Sequence, residues 1–143
     1  MKSESEVLLL ELQRATHATL QELAARLVDL DLSASELNAL GNLADGRTRT
    51  VSELGAGIGI RPTTLTGVLD RLERRGSITR GVRAGDRRAV LIELTPAGRE
   101  TADTIVAAMA EVEERALADV PDEAIASFRR VLAALTKGGE RVE

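Results

Sequence analysis

From Thr50 to Gly98 the chain reads TVSELGAGIGIRPTTLTGVLDRLERRGSITRGVRAGDRRAVLIELTPAG, and local chemistry leaves this stretch few ways to fold. Thr50-Val51-Ser52-Glu53 has the form of a capping box: the threonine oxygen accepts from an orphan amide and Glu53 reaches back. Val51, Leu54 and Ile58 follow at helical spacing; Gly57 and Gly59 are expected to end the helix, and Ile60 to bury the turn. A second helix is expected from Pro62, whose fixed φ suits the first helical position. Leu65, Val68, Leu69 and Leu72 mark its apolar face until Gly76 stops it. Two helices joined by a glycine-containing turn, the second with a polar and basic free face, make a helix-turn-helix.

Two β-prone runs follow, Ser77-Ile78-Thr79-Arg80 and Ala89-Val90-Leu91-Ile92-Glu93-Leu94. The connector between them, residues 81–88, has turn formers at its tip and carries Arg83, Arg87 and Arg88. This predicts a two-stranded hairpin with a basic tip, a wing. Thr95-Pro96 then opens a further helix, an N-cap followed by proline at the first position. A helix-turn-helix followed by a basic wing is the pattern of a reader of double-stranded DNA.

The order of these elements resembles the MarR family of bacterial transcription regulators. The resemblance rests on Leu72-Glu73-Arg74-Arg75-Gly76-Ser77-Ile78-Thr79-Arg80, then Asp86-Arg87-Arg88, then Leu94-Thr95-Pro96-Ala97-Gly98. It extends to the size of the chain and its flanking long helices. Two positions depart from the family pattern: Arg61, where an acidic or hydroxyl N-cap is common, and Gly67, where a larger, often basic residue is common. The resemblance implies a two-fold homodimer on a pseudo-palindromic operator and a repressor released by a small, often anionic or phenolic, effector. It also implies that Arg88 enters the minor groove, with Arg83 and Arg87 as supporting phosphate contacts.

Candidate DNA contacts follow from the residue types. The early residues of a recognition helix face base edges, here Arg61, Pro62, Thr63, Thr64, Thr66 and Gly67. Arg61 suits a guanine, and a threonine offers both a hydroxyl and a methyl for thymine. Thr63 and Thr64 either do this or cap the helix and bind phosphate. For Arg71, Arg74 and Arg75, phosphate contact or an internal ion pair is expected. In the wing, Asp86 lies two residues before Arg88 and therefore on the same face of an extended strand, placed to aim its guanidinium. The basic loop Arg47-Thr48-Arg49 offers either two phosphate contacts or a solvated surface.

Charge supports this assignment. The whole chain has a net charge of −4, but residues 47–99 hold 11 of its 19 basic residues and 5 of its 23 acidic ones. That segment is thus +6 and the remainder −10. Phe128 is the only aromatic residue, so the stacking platforms of single-strand binders are missing from the basic segment. There is no cysteine, and His17 is the single histidine, which removes thiol chemistry and leaves Glu111, Glu113 and Glu114 without histidine partners for a metal. No glycine-rich phosphate loop follows a strand. The chain is expected not to be an enzyme and to need no cofactor or metal. His17 is read as a helix-surface or interface residue, or as part of a ligand pocket. No run of 18 apolar residues occurs, so a cytoplasmic protein without a membrane span is expected.

The flanks read as helices. Residues 4–30 are expected to form one, with Leu9, Leu12, Leu20, Leu23, Leu27 and Leu30 as its stripe. Val7, Leu8, Leu9 and Leu10 are apolar on every side, which points to a dimer contact or to burial in the protomer core. Asp31-Leu32-Ser33 breaks this helix, and Ser33-Ala34-Ser35-Glu36 is a second capping box before Leu37, Leu40 and Leu43. A long helix is expected from Pro96 to about Asp119 with Ile105, Val106, Met109, Val112 and Leu117 inward. The last helix carries a narrow seam of Ile125, Phe128, Leu132 and Leu135, after which the chain end should fray. The expected architecture is mainly α: a winged helix-turn-helix with a two-stranded wing hairpin, flanked by N- and C-terminal dimerisation helices. Within one protomer, residues 1–32 and 96–143 serve dimerisation and residues 33–95 bind DNA.

Overall fold

The computed structural model describes residues 7–83 and 85–139. The chain divides into two units, Met1–Val112 and Glu113–Glu143. Six α-helices run in the order α1 (Leu8–Arg26), α2 (Ala34–Leu43), α3 (Val51–Ile58), α4 (Pro62–Arg74), α5 (Pro96–Ala116) and α6 (Asp122–Gly139). Three strands, β1 (Arg49–Thr50), β2 (Ile78–Arg83) and β3 (Asp86–Leu94), form one antiparallel sheet in the order β1-β3-β2. The winged helix-turn-helix is therefore α3, α4 and this sheet.

Capping sets the helix starts. Ser33 accepts from the Glu36 amide at 3.2 Å, and its hydroxyl donates to Glu36 Oε1 at 3.0 Å. Thr50 accepts from the Glu53 amide at 3.1 Å, and Thr95 Oγ1 from the Gly98 amide at 3.0 Å. The core of the first unit draws on every layer: Leu37, Leu40 and Leu43 of α2, Leu54 of α3, and Leu65, Val68, Leu69 and Leu72 of α4. Ile78 and Ile92 from the sheet and Ala102, Ile105, Ala108 and Val112 of α5 complete it, joined by Leu23 and Leu27. Each apolar stripe thereby finds its cover.

Several boundaries differ from the sequence expectation. The first helix stops at Arg26 rather than Leu30; Val28–Leu30 is a 3₁₀ turn closed by Asp31 in the left-handed region at φ 52°. Arg75 holds that turn, donating to the carbonyls of Leu30 at 2.6 Å and Asp31 at 2.9 Å. Gly57 lies inside α3, and Gly59 alone ends it, at φ 68°. That left-handed turn gives the helix pair its corner, and a β-carbon there would be strained. The wing strands reach further than the β-prone runs because pairing with β3 overrides the local turn preference: Gly81 pairs with Leu91 and Val82 with Val90. A bulge follows between Val82 and Arg83. Arg49 and Thr50, expected in a loop and a cap, pair with Ile92 and Leu91 as a third strand. In α5 the helix ends at Ala116, and Val106, expected inward, is exposed; the small residues Gly98, Ala102 and Ala108 take up the buried face instead. The expected start of the first helix at residues 4–6 and the expected fraying of 140–143 fall outside the described residues.

Candidate nucleic-acid interface

Helix α4 buries Leu65, Val68, Leu69 and Leu72 almost completely. At 3.6 residues per turn, the side opposite those four carries Thr63, Gly67, Asp70 and Arg74. Thr66 and Glu73 flank that stripe on one edge, Thr64 and Arg71 on the other. The start of the helix is left open chemically. Arg61 occupies the N-cap in extended backbone and makes no side-chain cap bond, and Pro62 follows at the first helical position. Neither Thr63 nor Thr64 caps the helix: among the described residues their hydroxyls, like the Arg61 guanidinium, have no hydrogen-bond partner. Thr66 differs, since its hydroxyl donates back to the Pro62 carbonyl at 3.0 Å.

The two edges of α4 are anchored to different neighbours. On one side Arg71 Nε donates to Glu36 Oε1 at 3.1 Å, so the internal ion pair is realised, although half of the Arg71 side chain remains exposed. Glu36 is buried, and burying a carboxylate is tolerable only because Arg71 and Ser33 share it. On the other side Arg80 of β2 reaches over to α4, with Nε on Glu73 at 2.6 Å and Nη2 on Asp70 at 2.8 Å. These two carboxylates, Glu73 first, hold the Arg80 guanidinium above its ordinary value. Arg80 thus ties the wing to the outward face of the recognition helix. Nothing in the sequence pointed to this, because its partners stand ten and seven residues upstream and match no helical or strand period.

The basic residues before the helix pair separate in role. Arg49 forms a two-pronged pair with Asp45, at 2.8 and 2.6 Å. That bond, followed by one from the Arg47 amide, holds the Asp45 carboxyl well below the usual aspartate range. Arg47 itself keeps a guanidinium with no hydrogen-bonded partner among the described residues. The wing backbone carries Arg83 opposite Asp86 at its outer end, with Gly85 at φ 85° between them. The side chains of Arg83, Asp86, Arg87 and Arg88, and with them the expected Asp86–Arg88 pair, lie outside the described part of the structure. Among the residues described, no cluster of three His, Cys, Asp or Glu side chains is placed to hold a metal, and no helix is long and apolar enough to cross a membrane.

The remaining expected site residues lie on the flanking helices. Val7 to Leu10 at the start of the first unit are all exposed, Val7 at 61% and Leu8 at 59%. In the second unit Phe128, Leu132 and Leu135 are exposed at 48%, 36% and 41%, with Ile125 half-buried. Val131, which the seam expectation omitted, is exposed beside them.

Comparison with known proteins bears on this geometry directly. A family model described as MarR family matches residues 30–89, from the turn before α2 into β3. The uncharacterized HTH-type transcriptional regulator YfiV of Bacillus subtilis (strain 168) is 33% identical over 92 residues, 64% of this chain. The chain spans only 57% of that relative's length. The crystal structure of transcriptional regulator PA3341 matches with a TM-score of 0.85 at 32% identity, covering 94% of this chain and 98% of that one. NadR, solved in complex with 4-hydroxyphenylacetate, matches with a TM-score of 0.86 over 100% of this chain and 99% of its own, at 22% identity, a likeness of fold alone. Helix pair, wing and these matches agree, and the chain belongs to the MarR family of transcriptional regulators.

Proposed function

We propose that this chain is a ligand-responsive repressor that binds duplex DNA as a homodimer on a pseudo-palindromic operator. The observation that carries the reading is the face of α4: an exposed, open helix start bearing Arg61, Thr63 and Thr64, beside a wing rich in arginine. In this reading Arg61, Pro62, Thr63, Thr64 and Thr66 meet base edges in the major groove and Arg88, aimed by Asp86, enters the minor groove. Arg47, Arg83 and Arg87 bind phosphates, while Arg49 and Arg71 contribute with the part of their charge left over from Asp45 and Glu36. Residues 33–95 form the DNA-binding region; residues 1–32 and 96–143 serve dimerisation. The exposed apolar seams Val7 to Leu10 and Ile125, Phe128, Leu132 and Leu135 are then buried against a second copy, setting two recognition helices about one DNA turn apart. The effector reading rests on family membership and on the 4-hydroxyphenylacetate bound by NadR.

Salt tests the DNA reading. Each neutralised phosphate adds about 0.9 to the slope of log affinity against log salt. A dimer using Arg47, Arg83 and Arg87 on each half-site should therefore show a steep fall in affinity for duplex DNA between low and physiological salt. Arg88→Ala should cost about 1–3 kcal/mol of binding without changing fold or dimer, as measured by fluorescence anisotropy. A flat salt response would sink the DNA reading, and an unchanged Arg88→Ala would remove the wing from it.

A further inference from the structure

Gly67 is a poor choice for where it stands. It lies in the interior of the thirteen-residue helix α4, where glycine is the weakest helix former after proline. Other glycines of the fold have a packing reason. A β-carbon at Gly55 would press to 3.2 Å from Leu65 Cδ2, and one at Gly98 would meet the Ser77 carbonyl oxygen at 1.8 Å. At Gly67 a β-carbon would meet only Arg71 Nη1, at 3.5 Å, an ordinary contact with the movable end of a side chain. The backbone there has no positive φ. The folded protomer makes no use of the missing side chain.

Gly67 also falls in the middle of the outward stripe, one turn after Thr63 and one before Asp70, with Thr66 beside it. The result is a notch of bare backbone bordered by two threonines. Thr66 brings no free donor to the notch, because its hydroxyl proton goes to the Pro62 carbonyl. Asp70 is held by Arg80 at its far end. A guanine or cytosine edge pressed against such a surface would lose its water and gain little hydrogen bonding in return. The one apolar group that any base pair presents in the major groove is the 5-methyl of thymine.

Resting on the DNA reading above, we infer that Gly67 is the specificity-determining position of α4. Its bare Cα seats the helix close against the base edges and receives a thymine methyl between Thr63 and Thr66. Any side chain at this position fills the notch and lifts the helix off its site.

The test begins with duplexes selected by the wild-type protein from a random pool. Each thymine of the recovered half-site is then replaced in turn by uracil, which removes the methyl and keeps the base pair. Burial of one methyl corresponds to roughly a threefold to fourfold change in affinity, so one uracil position per half-site should weaken wild-type binding by about that factor. Gly67→Ala should melt at or above the wild-type temperature, bind the selected site on the order of tenfold more weakly and no longer distinguish thymine from uracil. A Gly67→Ala protein that melts lower, or that binds with unchanged affinity and discrimination, overturns the inference. So does a wild-type protein that selects a defined site but is indifferent to every uracil. A wild-type protein that selects no sequence at all overturns the DNA reading, and the inference with it.

Discussion

Gly98 and Ser77 approach more closely than any side chain at residue 98 would permit. The atom in the way of a β-carbon is a backbone oxygen fixed by its own bond to the Thr95 amide at 3.0 Å, so it cannot turn aside. Thr95 strengthens the same joint, since its hydroxyl donates to the Gly76 carbonyl while accepting from the Gly98 amide. Gly98→Ala should therefore destabilise the protein by on the order of 2 kcal/mol or more, in the range of overpacked cores. Urea denaturation would read this as a lower midpoint at an unchanged slope, and an unchanged midpoint would show that α5 can move away at no cost. The glycine was visible in the sequence as part of the resemblance. Its physical reason was not, because the steric partner is a backbone atom more than twenty residues earlier.

At the scale of elements, the parts most legible in the sequence were those with a repeating apolar step. Leu65, Val68, Leu69 and Leu72 specify α4, and all four are buried where the spacing put them. The capping residues Ser33, Thr50 and Thr95 were legible for the same reason, since their partners lie three residues away. What escaped was structure made by distant partners. Arg49 and Thr50 carry no alternation; two residues become a strand only because β3 offers an open edge. Arg80 escaped likewise, and its position makes a prediction. The pairs it forms are partly exposed, its side chain at 28%, so Arg80→Met should cost no more than about 1 kcal/mol of stability. It should nonetheless weaken DNA binding several-fold, because it frees the wing from α4 and leaves Asp70 and Glu73 unneutralised on the face proposed to meet DNA. Thermal melting and anisotropy on one sample separate the two effects. Arg80→Met that binds as wild type would show that the strap positions nothing.

For the whole molecule, charge and exposed apolar surface are the informative quantities. The helical seam of α6 was readable from its steps of three and four, but which surface covers it is not encoded in the periodicity. If a second copy covers it, Leu132→Asp places an unpaired charge in the contact. Sedimentation should then show a monomer, and operator binding should be lost, since a single half-site buries too little surface to hold one protomer at useful affinity. A monomeric Leu132→Asp protein that binds its operator at wild-type affinity would exclude the dimer from the mechanism.

Strand β1 has one more effect, on how the reading head comes apart. Thr50 is both the partner of Leu91 in the sheet and the oxygen that caps α3. Ser77 donates its amide to the last turn of α4 and offers its carbonyl to the residue that begins α5. Peeling β3 away would strip β1 of its only partner strand and loosen the start of α3; peeling β2 away would pull on the end of α4 and the start of α5 together. No seam exists along which the wing can melt while the helix pair stays intact. The head opens as a single cooperative unit, so an opening that frees the wing costs close to the free energy of unfolding the whole head.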